Sequence, residues 1–346
     1  MVFIVRIAEP KDEEDIYNLA QSAQLFNLPA DKDAVKDLIA LSKKTATSDL
    51  LPKTEAQYVF ALENLETKKV IGTGQVKAQK THEERANYTF KILQAKKESH
   101  SLGISVDHKK LKLIADWEPL TELGGLVIEQ SFQGSPYSLG KLLSFARLFY
   151  IVQFSKRFNE RLYVEIAPKS NALWESLSSK FIPLTYKEAD VKSKENQEFF
   201  SALLPKEDIY LTLLSKQAQK DIAQAPAKSL PAMKLLEKAG FVYSDEVDPF
   251  DGGICLRAQI KHLFFYNSIF QTTIYSMDDL NKVDKNSEDT DKKFFVSVGD
   301  AKSFRCVLIR PSKVFYVNSK VQICCEKEIL NALQVKSGES VTAFSL

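Results

Sequence analysis

One stretch, Thr121 to Tyr150 (TELGGLVIEQSFQGSPYSLGKLLSFARLFY), constrains the fold of this chain more than any other. It opens on a short apolar run, Leu123 to Ile128, and crosses a loop of small and polar residues. Apolar residues then recur at helical spacing through Leu139, Leu142, Leu143, Ala146 and Tyr150, so the order strand, loop, helix is expected. A loop that opens a helix presents backbone N–H groups without intrahelical partners at the positive end of the helix dipole, which suits a phosphorylated ligand. Gly134 and Gly140 let the backbone come close to such a ligand, and Ser138 stands where an N-cap belongs. An ordinary strand-to-helix connection uses the same residues, and by themselves they do not decide between the two.

At 346 residues the chain is too long for one small core. Lysine plus arginine number 47 against 45 aspartate plus glutamate, so no global field calls for nucleic acid or a membrane surface. The lysines of KKESH and DHKKLK form a local basic patch that reads as a solvated face. Cys255, Cys306, Cys324 and Cys325 have neither metal-ligand spacing nor a disulfide framework, and read as small buried hydrophobes in a reducing compartment. No metal is expected. MVFIVRIAEP lacks the apolar core of a signal peptide and no run approaches membrane-spanning length, so a cytoplasmic protein is expected.

Taken in order, Val2 to Ile7 reads as a strand, and Glu9, Pro10 and Asp12 start a helix with Ile16, Leu19, Ala20 and Ala23 on one face. A second helix covers Lys32 to Lys44, and Tyr58 to Glu63 with Val70 to Lys77 form a strand pair. Thr81 to Asp116 is polar and basic, with further strands or a long excursion around Tyr88 to Leu93. Arg161 to Ile166 is a strand, and Tyr186 to Asp221 is mostly helical and polar. From about Lys261 short hydrophobic segments surround a polar tract at 278–293, expected to be mobile near Lys285, and LNALQVKSGESVTAF reads as a turn and strand.

One strand, one or two helices, a meander and then the Thr121 unit resembles the opening of the acyl-CoA N-acyltransferase (GNAT-like) superfamily. That superfamily grips the coenzyme pyrophosphate with a Gln/Arg-x-x-Gly-x-Gly/Ala loop; Gln133 followed by Gly140 is similar to it, stretched and with Pro136 at its centre. NALWESLSSKF and SLPAMKLLEKAGF each have the shape of a late superfamily helix, but Trp174 and Leu236 stand where many relatives carry a proton-donating tyrosine. Within the superfamily the chain resembles the bacterial arginine N-succinyltransferases. The carrying stretches are LLPKTEAQYVFALEN, TELGGLVIE, SALLPKEDIYLTLLSKQAQKDIAQ, LLEKAGF and DPFDGGICLRAQI, in order over nearly the whole chain.

The resemblance implies an α+β fold: a mixed-sheet N-acyltransferase core with flanking helices over residues 1–260, in two GNAT-like halves at about 1–160 and 161–260, and a small C-terminal β-barrel module at 261–346. It implies succinyl transfer from succinyl-CoA to the α-amino group of arginine or a related cationic amine, in arginine degradation. Some relatives work as paired subunits that also accept ornithine, so a homo- or hetero-oligomer fits. The family's coenzyme contact falls on Leu126, where a backbone N–H can steady the tetrahedral oxyanion; Gln133, Gly134, Ser138 and Gly140 complete the expected cofactor loop. Glu165 and Asp251 are the candidates for binding the amine and for taking its proton, although Asp251 before two glycines also reads as a turn former. The family's proton-donating histidine falls on Pro226, and its strand arginine on Ala167. A descendant that binds CoA or a partner subunit without catalysing is therefore the alternative.

Overall fold

Every residue of FIVRI, the first strand, is buried, which places it between other strands from the outset. Its arginine is held rather than expelled: Arg6 donates from Nη1 and Nη2 to Asp12 at 2.6 and 2.8 Å and from Nε to Glu63 at 2.7 Å. The paired carboxylates offset the cost of burying the guanidinium and fix the turn that follows the strand. The structure is a computed structural model and describes residues 1–23, 28, 30–195, 197–282, 291–317 and 320–346. The tract around Lys285 lies outside the described residues, as does the expectation of mobility there.

The strands in chain order are β1 (Phe3–Ile7), β2 (Gln57–Asn64), β3 (Lys69–Lys77), β4 (Asn87–Ser99), β5 (Ile104–Asp116), β6 (Leu120–Ile128), β7 (Arg161–Ile166) and β8 (Ile209–Tyr210). They continue with β9 (Val242–Val247), β10 (Ile254–Gln259), β11 (Phe270–Ser276), β12 (Phe294–Val298), β13 (Arg305–Ile309), β14 (Lys313–Val317), β15 (Lys320–Cys325) and β16 (Glu339–Ser345). The early helices are α1 (Glu13–Ala23), α2 (Lys32–Thr47) and α3 (Leu139–Gln153).

The described residues pack as two units: Met1–Ala78 with Gly124–Phe158 and Ile260–Leu346, and Gln79–Leu123 with Asn159–Gln259. In the first unit, strands run in the order β14-β15-β11-β16-β12-β13-β1-β2-β3. α1 and α2 lay Ile16, Leu19, Ala20, Val35 and Ile39 against Val59, Val70 and Val127. α3 is buried nearly all round, as its sequence with little besides apolar side chains requires, and Tyr150 Oη donates to the Ala301 carbonyl at 3.0 Å. In the second unit β6 begins parallel to β7, from Leu120↔Arg161 to Leu123↔Val164. β7 then pairs β10, followed by β9, β4, β5 and β8.

Three expectations change. The C-terminal strands do not close a barrel: the free edge of β13 is taken by β1 through Val5↔Cys306, which leaves an open sheet ending at β14. The segment from Ile260 packs in one unit with the N-terminal strands and α3 instead of standing apart, and the halves interleave along the chain. LNALQVK begins inside a helix, Lys327–Leu333, closed by Gln334 in the left-handed region, so only its later part is turn and strand. The polar Thr81 to Asp116 stretch resolves as a long β4–β5 hairpin whose lysines 96, 97 and 109 are exposed. All four cysteines are free and buried. Among the described residues no helix is long and apolar enough to cross a membrane.

Candidate active site

The expected coenzyme residues all lie in the first unit. β6 carries a left-handed residue in its middle, Gly125 at φ +58°, where an added Cβ would sit 3.0 Å from the Gln75 side chain. Glycine suits that position, since a side chain would be strained there and press on Gln75, and it turns the backbone immediately before the half-buried Leu126. Gln133 folds back, donating from Nε2 to the Ile128 carbonyl at 2.9 Å, and so ties the loop to the end of its strand. Gly134 is left-handed at φ +72° with open space where a Cβ would be, and at Gly140 a Cβ would meet only Ile128 Cδ1 at 3.8 Å. The protein itself therefore leaves room at both glycines. Ser138 occupies the N-cap position but does not cap: its backbone is left-handed (φ 55°, ψ 40°) and its hydroxyl makes no cap hydrogen bond. A capping side chain needs an extended backbone to reach the next N–H groups, and this loop is wound too tightly for it.

The two acidic candidates meet in the second unit, with a third that the sequence reading left unnamed. Oxygens of Glu165, Asp248 and Asp251 lie within 4.8 Å of one another. The β7–β10 ladder brings them together, because Ile254↔Ile166 and Cys255↔Glu165 place the DPFDGG turn at the end of β7. Gly253 makes this approach feasible, since a Cβ there would lie 2.8 Å from the Ile166 carbonyl. Asp248 Oδ1 accepts from Phe250 and Asp251 N–H at 2.7 and 3.1 Å, and Asp251 Oδ1 accepts from Gly253 N–H at 2.9 Å. Both aspartates thus form the turn and face the cluster. Glu165 is the least engaged: among the described residues only Tyr163 Oη donates to it, at 3.5 Å. Its arginine neighbours on the sheet are committed elsewhere: Arg161 and Arg257 pair with Asp116, and Arg257 also with Glu246.

Crowding three carboxylates in a buried place favours their neutral forms. Burial, then Asp248, pushes Glu165 up to about 8 against the pull of Lys80. Burial and Asp251 push Asp248 up to about 7, and burial and Glu165 push Asp251 up to about 7. Lys80, held to Glu122 at 2.8 Å and 4.4 Å above the Tyr163 ring, is the nearby cation. Burial lowers its pKa, yet Glu122, Glu165 and Asp248 outweigh that and leave it raised. Among the described residues Lys80 is the cation that acts on Glu165 and Asp248, and it is shared with Glu122, so the set can take further positive charge. A hard cation has ligands of the right kind here, and so does a guanidinium. Lys80, Tyr163 and Tyr186, which donates to Asp251 at 3.2 Å, were invisible as site residues because only tertiary pairing brings them to the carboxylates.

Pro226 precedes a short helical turn, Ala227–Ser229, in the second unit, three residues after the left-handed Ala223. Trp174 is buried against Phe250 and Tyr186, a packing role. A cavity of about 610 Å³ in the first unit, lined by Lys53, Tyr58, Lys156 and Arg157 among others, contains none of the expected site residues. Its main cations are engaged structurally, Arg157 with Asp49 and the Thr45 and Ser48 carbonyls and Lys53 with the Phe158 carbonyl.

Residues 3–264 match the family model described as arginine N-succinyltransferase beta subunit. The chain belongs to the arginine N-succinyltransferase family. It is 26% identical to the arginine N-succinyltransferase of Photorhabdus laumondii over 353 residues, covering 100% of this chain and 98% of that one. It is 32% identical to that of Enterobacter sp. strain 638 over 270 residues, covering 74% and 77%. Arginine/ornithine succinyltransferase subunit AI from Pseudomonas aeruginosa has the same fold, with a TM-score of 0.80 over 99% of this chain and 98% of that one at 23% identity. The fold is thus that of the acyl-CoA N-acyltransferases, and membership of this family makes the chain an acyltransferase with acyl-CoA as co-substrate.

Proposed function

We propose that this chain transfers the succinyl group of succinyl-CoA to the α-amino group of arginine, within arginine degradation, in the cytoplasm. The observation that carries the acceptor assignment is the set of three crowded carboxylates, half-buried Glu165 with buried Asp248 and Asp251, with raised pKa values and the Lys80 ammonium nearby. A guanidinium brings a planar fork of donors that suits such a cluster, which favours arginine over a neutral amine. The acyl donor is assigned to the first unit, with the thioester carbonyl at the Leu126 N–H and the pyrophosphate at the Gln133 to Gly140 loop and the first turn of α3.

The reaction needs few groups. The neutral α-amine attacks the thioester carbon, the tetrahedral oxyanion forms against the Leu126 N–H, the C–S bond breaks and the coenzyme leaves as thiolate. One amine proton must be accepted, and with the three carboxylates engaged by the guanidinium, water takes it. Alignment of the reactants supplies about 7 to 11 kcal/mol of barrier reduction, more than a general acid at Pro226 would, so loss of the family's histidine is compatible with turnover.

Pro226 itself favours a second reading, a CoA-binding subunit without activity. Thiol release measured with succinyl-CoA and acetyl-CoA against arginine, ornithine, lysine and a neutral amino acid separates the two. Turnover that requires succinyl-CoA and a cationic amine supports the enzyme; tight CoA binding with no release on any amine supports the subunit.

A further inference from the structure

α3 is an almost wholly apolar helix with one arginine at its centre, and among the described residues that arginine has no counter-ion. Arg147 is 2% exposed. Among the described residues it makes no ion pair. Its Nη1 donates to two backbone carbonyls, Gln75 at 3.2 Å and Gly124 at 3.0 Å. Its Nε is buried with no acceptor, and Nη2 makes no hydrogen bond among the described residues. Burial without a compensating anion pushes its pKa down to about 10. By contrast Arg6, equally buried in the same unit, is matched by Asp12 and Glu63.

The surroundings are cut away to admit this side chain. At Gly74 a Cβ would lie 3.0 Å from Arg147 Cδ and 3.2 Å from Nε, so the guanidinium rests directly on bare β3 backbone. It then reaches the carbonyl of Gly124, two positions before Leu126. An uncompensated guanidinium in an apolar setting costs several kcal/mol unless something anionic joins it.

We propose that Arg147 is the subsite for the distal carboxylate of the acyl group, and so selects a dicarboxylic acyl-CoA over acetyl-CoA. This rests on the acyl-donor assignment to Leu126 made above. The reach is consistent. Two strand positions separate Gly124 from Leu126 by at most about 7 Å. Three C–C bonds of about 1.5 Å carry the far carboxylate about 4 Å from the thioester carbon, and a charge-assisted hydrogen bond spans about 2.8 Å more. The span therefore matches a four-carbon diacid, with Nη2, which makes no hydrogen bond among the described residues, as its donor. Arg147 then neutralises the charge that a simple acetyltransferase pocket would reject.

The test compares binding of succinyl-CoA with that of its methyl ester, the neutral analogue of nearly the same shape, and of acetyl-CoA, by titration calorimetry on wild type, Arg147→Gln and Arg147→Lys. Wild type is expected to bind the acid at least about 100-fold more tightly than the ester, Arg147→Gln to lose that preference while keeping acetyl-CoA affinity within about threefold, and Arg147→Lys to fall between. Equal affinity of wild type for acid and ester overturns the proposal, and needs no variant that folds. A parallel loss for all three ligands in Arg147→Gln also overturns it, and assigns Arg147 to holding the Gln75 and Gly124 carbonyls. Absence of turnover with intact acid-over-ester preference counts against the transfer reaction and leaves the subsite standing.

Discussion

Replacing Glu165 by glutamine removes one carboxyl from the buried cluster and should have two opposite effects. In the folded wild type Glu165 titrates at about 8, well above its ordinary value of 4.5. A carboxyl with a raised folded pKa holds its proton in the native state while the unfolded chain has released it. Its stabilising contribution is therefore complete below about pH 4.5 and is lost as the pH rises towards 8. The steepest loss for one such group is about 1.4 kcal/mol per pH unit inside that window. Glu165→Gln should therefore flatten the fall in stability between about pH 5 and pH 8, by up to that slope, and be the more stable protein at pH 8. The same change should weaken arginine. A charge-assisted hydrogen bond to the guanidinium is worth about 1.5 to 3 kcal/mol, so KM for arginine should rise about 10- to 150-fold. Chemical denaturation at intervals of half a pH unit, together with steady-state kinetics at pH 8, measures both. Parallel stability profiles in variant and wild type would refute the electrostatic reasoning, and an unchanged KM for arginine would remove Glu165 from the acceptor site.

Binding of the cationic acceptor should release protons near neutrality, because a guanidinium drives Glu165, Asp248 and Asp251 to ionise; calorimetry in buffers of different ionisation enthalpy counts them, and proton uptake would contradict the assignment. Leu126→Ala should leave kcat within about threefold, whereas Leu126→Pro, which deletes the N–H, should lower kcat about a hundred- to a thousandfold in a protein whose melting profile remains cooperative. Gly253→Ala forces a Cβ to 2.8 Å from the Ile166 carbonyl, so it should destabilise by about 1 to 3 kcal/mol in denaturant titrations and raise KM for arginine through displacement of β7. Pro226→His should raise kcat if that loop serves the reaction, by as much as about a hundredfold; an unchanged rate in a folded variant places the loop away from the chemistry.

How far the sequence spoke for itself follows from the range of the interactions involved. The strand, loop and helix of Thr121 to Tyr150 were legible because period and loop composition are local, and α3 and β6 fall where the pattern put them. The cluster was legible only by half. Glu165 stood out as a charge in an apolar strand and Asp251 as a turn former or a site carboxylate, but Asp248 carried no signal of its own, and its place appears only when β10 folds back on β7. The open C-terminal sheet was hidden for the same reason, since no local signal tells β13 that its partner is β1. Arg147 carried a signal that went unread: a single charge within LSFARLFYIV is either a misplaced surface residue or a buried cation awaiting an anion. Ser138 shows the converse, a residue type suited to capping whose backbone forbids it.

The central claim is that an acyl group passes from the coenzyme to the α-nitrogen of arginine. Succinyl-CoA isotopically labelled in its acyl carbons, incubated with protein and arginine, tests it without recourse to any variant. The label should appear in an amide at the α-nitrogen, mole for mole with thiol released. Label recovered only as free succinate, or thiol release indifferent to arginine, would contradict the account.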